Sequence, residues 1–160
     1  MSTLYVDTIN EKTSGNGIYI PGHVLQVVQQ ENTIGAISTS STSFIATGHI
    51  ISITPSSSSS KILISLTGGQ ITYSSPDKLR TRLYRKIGTG SYSDLTGDFQ
   101  RVSQNSTYDF GHSFSYLDSP STTSTVYYQP YFRSQGGNLI YYDYTNIDTN
   151  AMLTIMEIGG

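Results

Sequence analysis

The sequence has no cysteine and no tryptophan among its 160 residues. The missing cysteine excludes disulfides, thiolate chemistry and thiolate-bound metals, and leaves the redox compartment open. Charge is scarce as well: Lys, Arg, Asp and Glu make up 12% of the chain, about half the usual share. The formal net charge of -2 gives no reason to expect nucleic acid or an anionic membrane as a partner. Ala and Glu are rare, and no window sustains apolar residues at i, i+3, i+4 and i+7, so helices are not expected. No apolar run approaches the length of a membrane span, and membrane insertion is not expected. The opening "MSTLYVDTINEK" lacks a basic stretch followed by a long apolar core, so a signal peptide is not expected either. There is no internal repeat with a period of about 20 to 50 residues.

Serine and threonine fill the gap, with 25 and 20 copies, alongside 13 tyrosines. Low net charge with abundant Tyr, Ile and Val is not the composition of a disordered chain. Short β-favouring runs broken by Gly, Pro and Ser point to an all-β sandwich or barrel. The length fits one domain and a short arm. We place the arm at residues 1–22 and the sandwich at 23–160. In the arm, Leu4, Val6 and Thr8 alternate with Tyr5 and Asp7, "SGNG" makes a turn, and "IYI" is extended. It is too short for a core of its own and needs the body, or copies of itself, to pack against.

Along the body, "HVLQVVQQ" (23–30) predicts a strand and residues 31–43 a polar connection. "FIATGHIISITP" (44–55) predicts a strand with His49, Ile51 and Ile53 on one face. "SSSSSK" reads as a turn and "ILISLTG" as the returning strand of a hairpin. "KLRTRLYRKI" (78–87) places Leu79, Leu83 and Ile87 on one face and Arg80, Arg82, Tyr84 and Lys86 on the other. An exposed loop (88–98), a strand near "FQRV" and "YDFGHSFSYL" follow. "TVYYQPYFR" turns Val126, Tyr128, Pro130 and Phe132 to one side and Tyr127, Gln129, Tyr131 and Arg133 to the other. Pro130 cannot donate a ladder hydrogen bond, so this strand is expected at an edge or with a bulge. "QGGN" (135–138) reads as a second hairpin turn, with "LIYYDY" returning. The closing "AMLTIMEIGG" is apolar on both faces, Leu153 and Ile155 on one, Met152, Met156 and Ile158 on the other. Such a strand is expected to be covered on both sides. We assign the Met152, Met156 and Ile158 side to a subunit interface.

Residues able to do chemistry are few and scattered. None of His23, His49 and His112 has a second ligand at a metal-binding spacing, so they read as satisfied polar groups in or beside the sandwich. No G-x-S-x-G elbow supports a serine nucleophile. Asp94, Asp98, Asp109, Asp118, Asp143 and Asp148 read as turn formers. "GTGSYSDLTG" is not a phosphate loop, and "RTRLYRK" reads as a solvated or intersubunit face. No catalytic residue, metal or cofactor is assigned. Tyrosine is the unusual feature, because it offers contact area with few rotatable bonds and a hydroxyl, which suits recognition surfaces, glycan sites among them. Cross-strand packing uses it equally well. Alternation turns Tyr128 inward and Tyr127 and Tyr131 outward. Tyr127, Tyr131 and, in the 88–98 loop, Tyr92 are the candidates for receptor contact, together with the loop at 134–138.

Several stretches together resemble a known group. "STLYVDTINEKTSGNGIYI" resembles the opening segment of virion structural proteins of tailed phages, marine and cyanobacterial phages especially. "GHVLQVVQ", "SITPSSSSSKILI", "SFSYLDSPSTTSTVYYQPYFR" and "LTIMEIGG" resemble, in that order, further blocks of the same group, so the likeness spans nearly the whole chain. The resemblance implies a fibre, tail-tip or head-decoration protein, commonly a homotrimer, with a jelly-roll head like those of the tumour necrosis factor and complement C1q group. It implies attachment to other virion proteins through the arm, for which Leu4, Tyr5, Val6 and Ile9 are the candidates. It also implies synthesis in the host cytoplasm and residence in the virion, and it does not decide between a fibre head that contacts a host surface glycan and a capsid decoration. It carries no catalytic motif. A capsid decoration protein, a carbohydrate-active enzyme and a lectin remain the alternatives.

Overall fold

Period-two alternation organises this chain, and it yields strands throughout. The computed structural model describes residues 22–98, 100–104, 110–143 and 150–160. In chain order the strands begin with β1 (Val24–Glu31), β2 (Ile37–Thr39), β3 (Ile45–Ala46), β4 (Ile51–Ile53) and β5 (Lys61–Thr67). Next come β6 (Gln70–Tyr73), β7 (Asp77–Ile87), β8 (Ser93–Asp94), β9 (Gln100–Gln104) and β10 (Phe110–Gly111). The last are β11 (Phe114–Asp118), β12 (Val126–Ser134), β13 (Ile140–Tyr142) and β14 (Met152–Ile158). All pairings are antiparallel, and no helix occurs among the described residues.

One sheet runs β1, β14, β5, β11. The other has β12 and β7 at its centre, with β3 and β4 sharing the outer side of β12, and β8 and β9 sharing the outer side of β7. Among the described strands the first and last, β1 and β14, are therefore neighbours in one sheet, and the chain passes between the two sheets at β4–β5, β5–β7, β9–β11, β11–β12 and β12–β14. That is the wrap of a jelly-roll sandwich. A short third ladder, β10, β6, β13, β2, extends the sheets at one end. The step from β5 into β6 uses Gly68 and Gly69, both at φ +73, where a side chain at Gly69 would meet the Ala151 Cβ at 2.8 Å.

Inward positions of all three ladders meet in one core. Ile62, Ile64 and Leu66 from β5 and Leu153 and Ile155 from β14 face Leu79 and Leu83 from β7 and Val126, Tyr128 and Phe132 from β12. Ile71, Tyr73, Ile140 and Tyr142 close the end. Tyrosine is thus split by alternation: Tyr128 is buried in the core, while Tyr127 and Tyr131 face out and are half-buried.

Several connections differ from the sequence reading. The serine turn does not close a hairpin, because β4 pairs with β12 and β5 pairs with β14 and β11. It crosses between sheets, and Glu157 holds it there. This carboxylate is fully buried on the inner side of β14, and accepts from the Ser56 amide and hydroxyl, both at 2.7 Å, and from Gln26 Nε2 at 2.5 Å. "QGGN" likewise leads from β12 to β13, which pairs with β2 and β6 instead. Asp77 fixes that turn by accepting from Ser134 Oγ at 2.5 Å, Gly136 N at 2.7 Å and Asn138 N at 2.9 Å. The expected polar connection at 31–43 contains β2.

The strand with Pro130 is central, not an edge. Its neighbour on one side changes from β4, opposite 126–128, to β3, opposite 131–132, and Pro130 falls in the break between them. The Pro130 carbonyl accepts from Thr47 N at 3.1 Å, so its imide nitrogen points into the same break, where no ladder donor is needed.

Candidate functional site

The outer side of the β12–β7 pair gathers the residues singled out for contact. Burial of Leu79, Thr81 and Leu83 leaves Lys78, Arg80, Arg82, Tyr84 and Lys86 of β7 outward. Register places Tyr127 beside Lys86, Gln129 beside Tyr84, Tyr131 beside Arg82 and Arg133 beside Arg80. Tyr131 reaches diagonally to stack on Tyr84, with ring centroids 3.8 Å apart and planes 22° apart. The 88–98 loop folds back over this surface and puts Tyr92 against Tyr131 at 6.4 Å. Lys86 Nζ lies 4.2 Å from the Tyr127 ring centre and 5.3 Å from that of Tyr92.

The loop is held in place by its own acceptors and by the strand. Asp94 Oδ1 accepts from Gly97 N at 2.9 Å and Thr96 N at 3.2 Å, the Asx turn expected of a loop aspartate. Leu95 N donates to the Leu83 carbonyl at 2.9 Å, and Gly88 N to that of Thr125 at 2.8 Å. Arg82 donates to Asp94 at 2.6 Å and to Asp98 at 2.7 and 2.9 Å. Its guanidinium also lies 4.2 Å from the Phe44 ring, which Arg133 approaches at 5.2 Å. The hydrogen bond from Arg82 holds the Asp98 carboxyl below its usual range. A glycosidase acid needs the opposite shift. Burial pushes the Tyr92 and Tyr131 phenols up, so both stay neutral donors at ordinary pH. The Tyr92 hydroxyl is buried and has no hydrogen-bond partner.

Tyr92, Tyr127 and Tyr131, separate in sequence, are therefore brought onto one surface, Tyr92 and Tyr127 at Lys86 and Tyr131 against Tyr84 and Tyr92. Tyr84, Lys86 and Phe44 complete the surface. The sequence reading left them out, although Tyr84 and Lys86 were legible as the outward side of a basic strand.

Met152, Met156 and Ile158 lie elsewhere, on the outer side of the opposite sheet, half-buried. Register aligns Val27, Met156, Leu63 and Leu117 in one row across all four strands. Val27 and Leu117 at its ends are 55% and 48% exposed. Strand spacing makes the row about 14 Å long. Leu4, Tyr5, Val6 and Ile9 lie outside the described residues. His49 and His112 are buried, as expected of core histidines, but not satisfied as expected. His49 Nε2 meets the Gln30 carbonyl at 3.1 Å while its Nδ1 has no partner, and neither nitrogen of His112 has one. Among the described residues no group of three or more His, Cys, Asp or Glu is placed to hold a metal.

No family model and no curated protein matches the chain. Solved structures similar to it include one of infectious bursal disease virus, strain Gx. That likeness has 11% identity and a TM-score of 0.38, and covers 89% of this chain and 33% of the viral one. This chain thus spans about a third of that viral protein's length. Another is the CBM22-1 xylan-binding domain of Xyn10C from Paenibacillus barcinonensis, at 14% identity and a TM-score of 0.34, covering 88% of this chain and 97% of that domain. At these identities and TM-scores neither likeness bears on function, and the jelly-roll assignment rests on strand order.

Proposed function

We propose that the chain is a non-enzymatic virion structural protein, the head of a homotrimeric fibre or tail tip. In this reading it attaches to other virion proteins through its N-terminal arm and contacts a host surface glycan with its tyrosine face. The observation that carries the reading is the division of the sandwich into two unlike outer sides. One bears an apolar row centred on Met156, suited to another copy of the chain. The other bears tyrosines and a cation, suited to a sugar. Contiguous apolar side chains on a sheet exterior mark association sites, and flat phenols with free donors suit sugar rings and hydroxyls. Three such faces on one rigid head would reinforce weak individual contacts by avidity. Capsid decoration uses the same two surfaces and differs only in where the protein sits on the particle.

Light scattering of the purified chain tests the first surface. The expected mass is three times 17.5 kDa. Met156→Asp is expected to shift it to a single chain while leaving the melting temperature of the sandwich near its starting value, because Met156 points away from the core. A wild-type monomer at all concentrations would remove the trimer from the reading. A panel of immobilised glycans tests the second surface. Tyr127→Ala and Tyr131→Ala are each expected to weaken retention roughly tenfold, the scale of an aromatic contact at the centre of a site. Unchanged retention in both would move the contact elsewhere.

A further inference from the structure

We infer that the glycan taken by the tyrosine face is anionic, a polysaccharide bearing carboxylate or sulfate groups. The inference rests on the reading of that face as a sugar contact and adds its charge. The chain has nine Lys and Arg against eleven Asp and Glu. Five of those cations, Lys78, Arg80, Arg82, Lys86 and Arg133, lie on this one side, whereas among the described residues only Asp94 and Asp98 are placed among them. The face is net positive on a chain whose net charge is -2. This asymmetry is hidden in the total, and such local fields select the charge of a partner.

Within the face the charges do different work. Asp98 is bound by Arg82 at 2.7 Å and lies 3.8 Å from Arg80 and 4.0 Å from Arg133, so the arginine end is partly neutralised and fixed in geometry. Lys86 has no carboxylate partner among the described residues. Its ammonium sits over the Tyr127 and Tyr92 rings, whose π faces hold the cation without cancelling its charge. An acidic group arriving at the tyrosines would find that ammonium, which the two rings leave uncancelled. Sugar hydroxyls could donate to the free lone pairs of Asp94 and Asp98.

Retention of the full chain on matrices carrying polygalacturonate, dextran sulfate or plain dextran tests this, with oligo(dT) as a fourth arm. Retention by polygalacturonate, dextran sulfate or both is expected, and the arm that wins identifies carboxylate or sulfate. Affinity is expected to drop roughly twentyfold to fortyfold between about 50 and 200 mM salt, as neutralisation of about three charges predicts. Lys86→Gln is expected to weaken binding about tenfold and to reduce the salt slope by about one, with an unchanged melting temperature as the control for folding. The wild-type salt titration stands on its own if that variant fails to fold. Equal, salt-independent retention on plain dextran would overturn the charge assignment and leave the face as a neutral-sugar contact. Retention on none of the three polysaccharides would overturn the sugar reading itself. Retention by oligo(dT) as strong as by the acidic polysaccharides would overturn the inference in favour of a general polyanion surface.

Discussion

Asp118→Ala is expected to cost about 3 kcal/mol of stability and to lower the melting temperature by about 10 °C. Asp118 sits on β11 in one sheet, buried, and both of its partners belong to the other sheet. Arg85 donates to its two oxygens at 2.8 and 3.0 Å, and the Tyr128 hydroxyl donates to one of them at 2.8 Å. Removing the carboxylate strands a phenol on a fully buried ring, at about 1–3 kcal/mol for an unsatisfied buried donor. It also strands a guanidinium, but the Arg85 side chain is 24% exposed and keeps part of its hydration, so the full penalty for splitting a buried ion pair does not apply. Tyr128→Phe in the Asp118→Ala background should recover part of the loss, because the orphaned hydroxyl is then gone. Urea melts of the two single variants and the double variant measure this coupling. Strict additivity would show that the Tyr128–Asp118 bond contributes nothing.

This inter-sheet link shows where sequence reasoning stops. Asp118 was legible as a turn residue before Pro120, and Tyr128 as an inward side chain, since period-two alternation fixes the face a residue points to. It does not fix which strand lies opposite. The serine run and "QGGN" satisfy hairpin rules as well as they satisfy a crossing between sheets. What decides between them is the pull of buried acceptors distant in sequence, Glu157 for the first and Asp77 for the second. Glu157 itself stands in a strand that reads as apolar, and its inward placement makes sense only once Gln26 and Ser56 are beside it. The contact face follows the same pattern. Outward orientation of Tyr127 and Tyr131 was readable. Their meeting with Tyr84, Tyr92 and Lys86 depends on the β12–β7 register and on the fold-back of the 88–98 loop, neither of which leaves a local signal.

Acid is expected to weaken the fold well before the carboxylates titrate, and His112 is the reason. Its ring is buried edge-on to Phe114 and Tyr142, at 5.9 and 6.1 Å, and neither nitrogen has a hydrogen-bond partner. Burial alone lowers its pKa from 6.5 to about 4. A depressed histidine pKa means that the unfolded chain binds the proton first. The neutral ring's contribution is complete above about 6.5 and declines as pH falls towards about 4. The slope is about 1.4 kcal/mol per pH unit, for a total of about 3 kcal/mol. Asp77 and Glu157 act in a lower window. Burial pushes both carboxyls up, but hydrogen bonds outweigh it and hold both below their ordinary values, so their contribution is lost only as pH falls below about 4. Urea midpoints measured between about pH 7 and 4.5 separate the two groups. The midpoint of the wild type should fall steadily across that range, and His112→Leu should flatten most of the fall. The slope that remains belongs to His49, whose pKa is also lowered by burial, against the opposing pull of the Gln30 carbonyl and the Asp143 charge. A wild-type midpoint that stays level down to about pH 5 would show that His112 finds a proton acceptor in the folded chain.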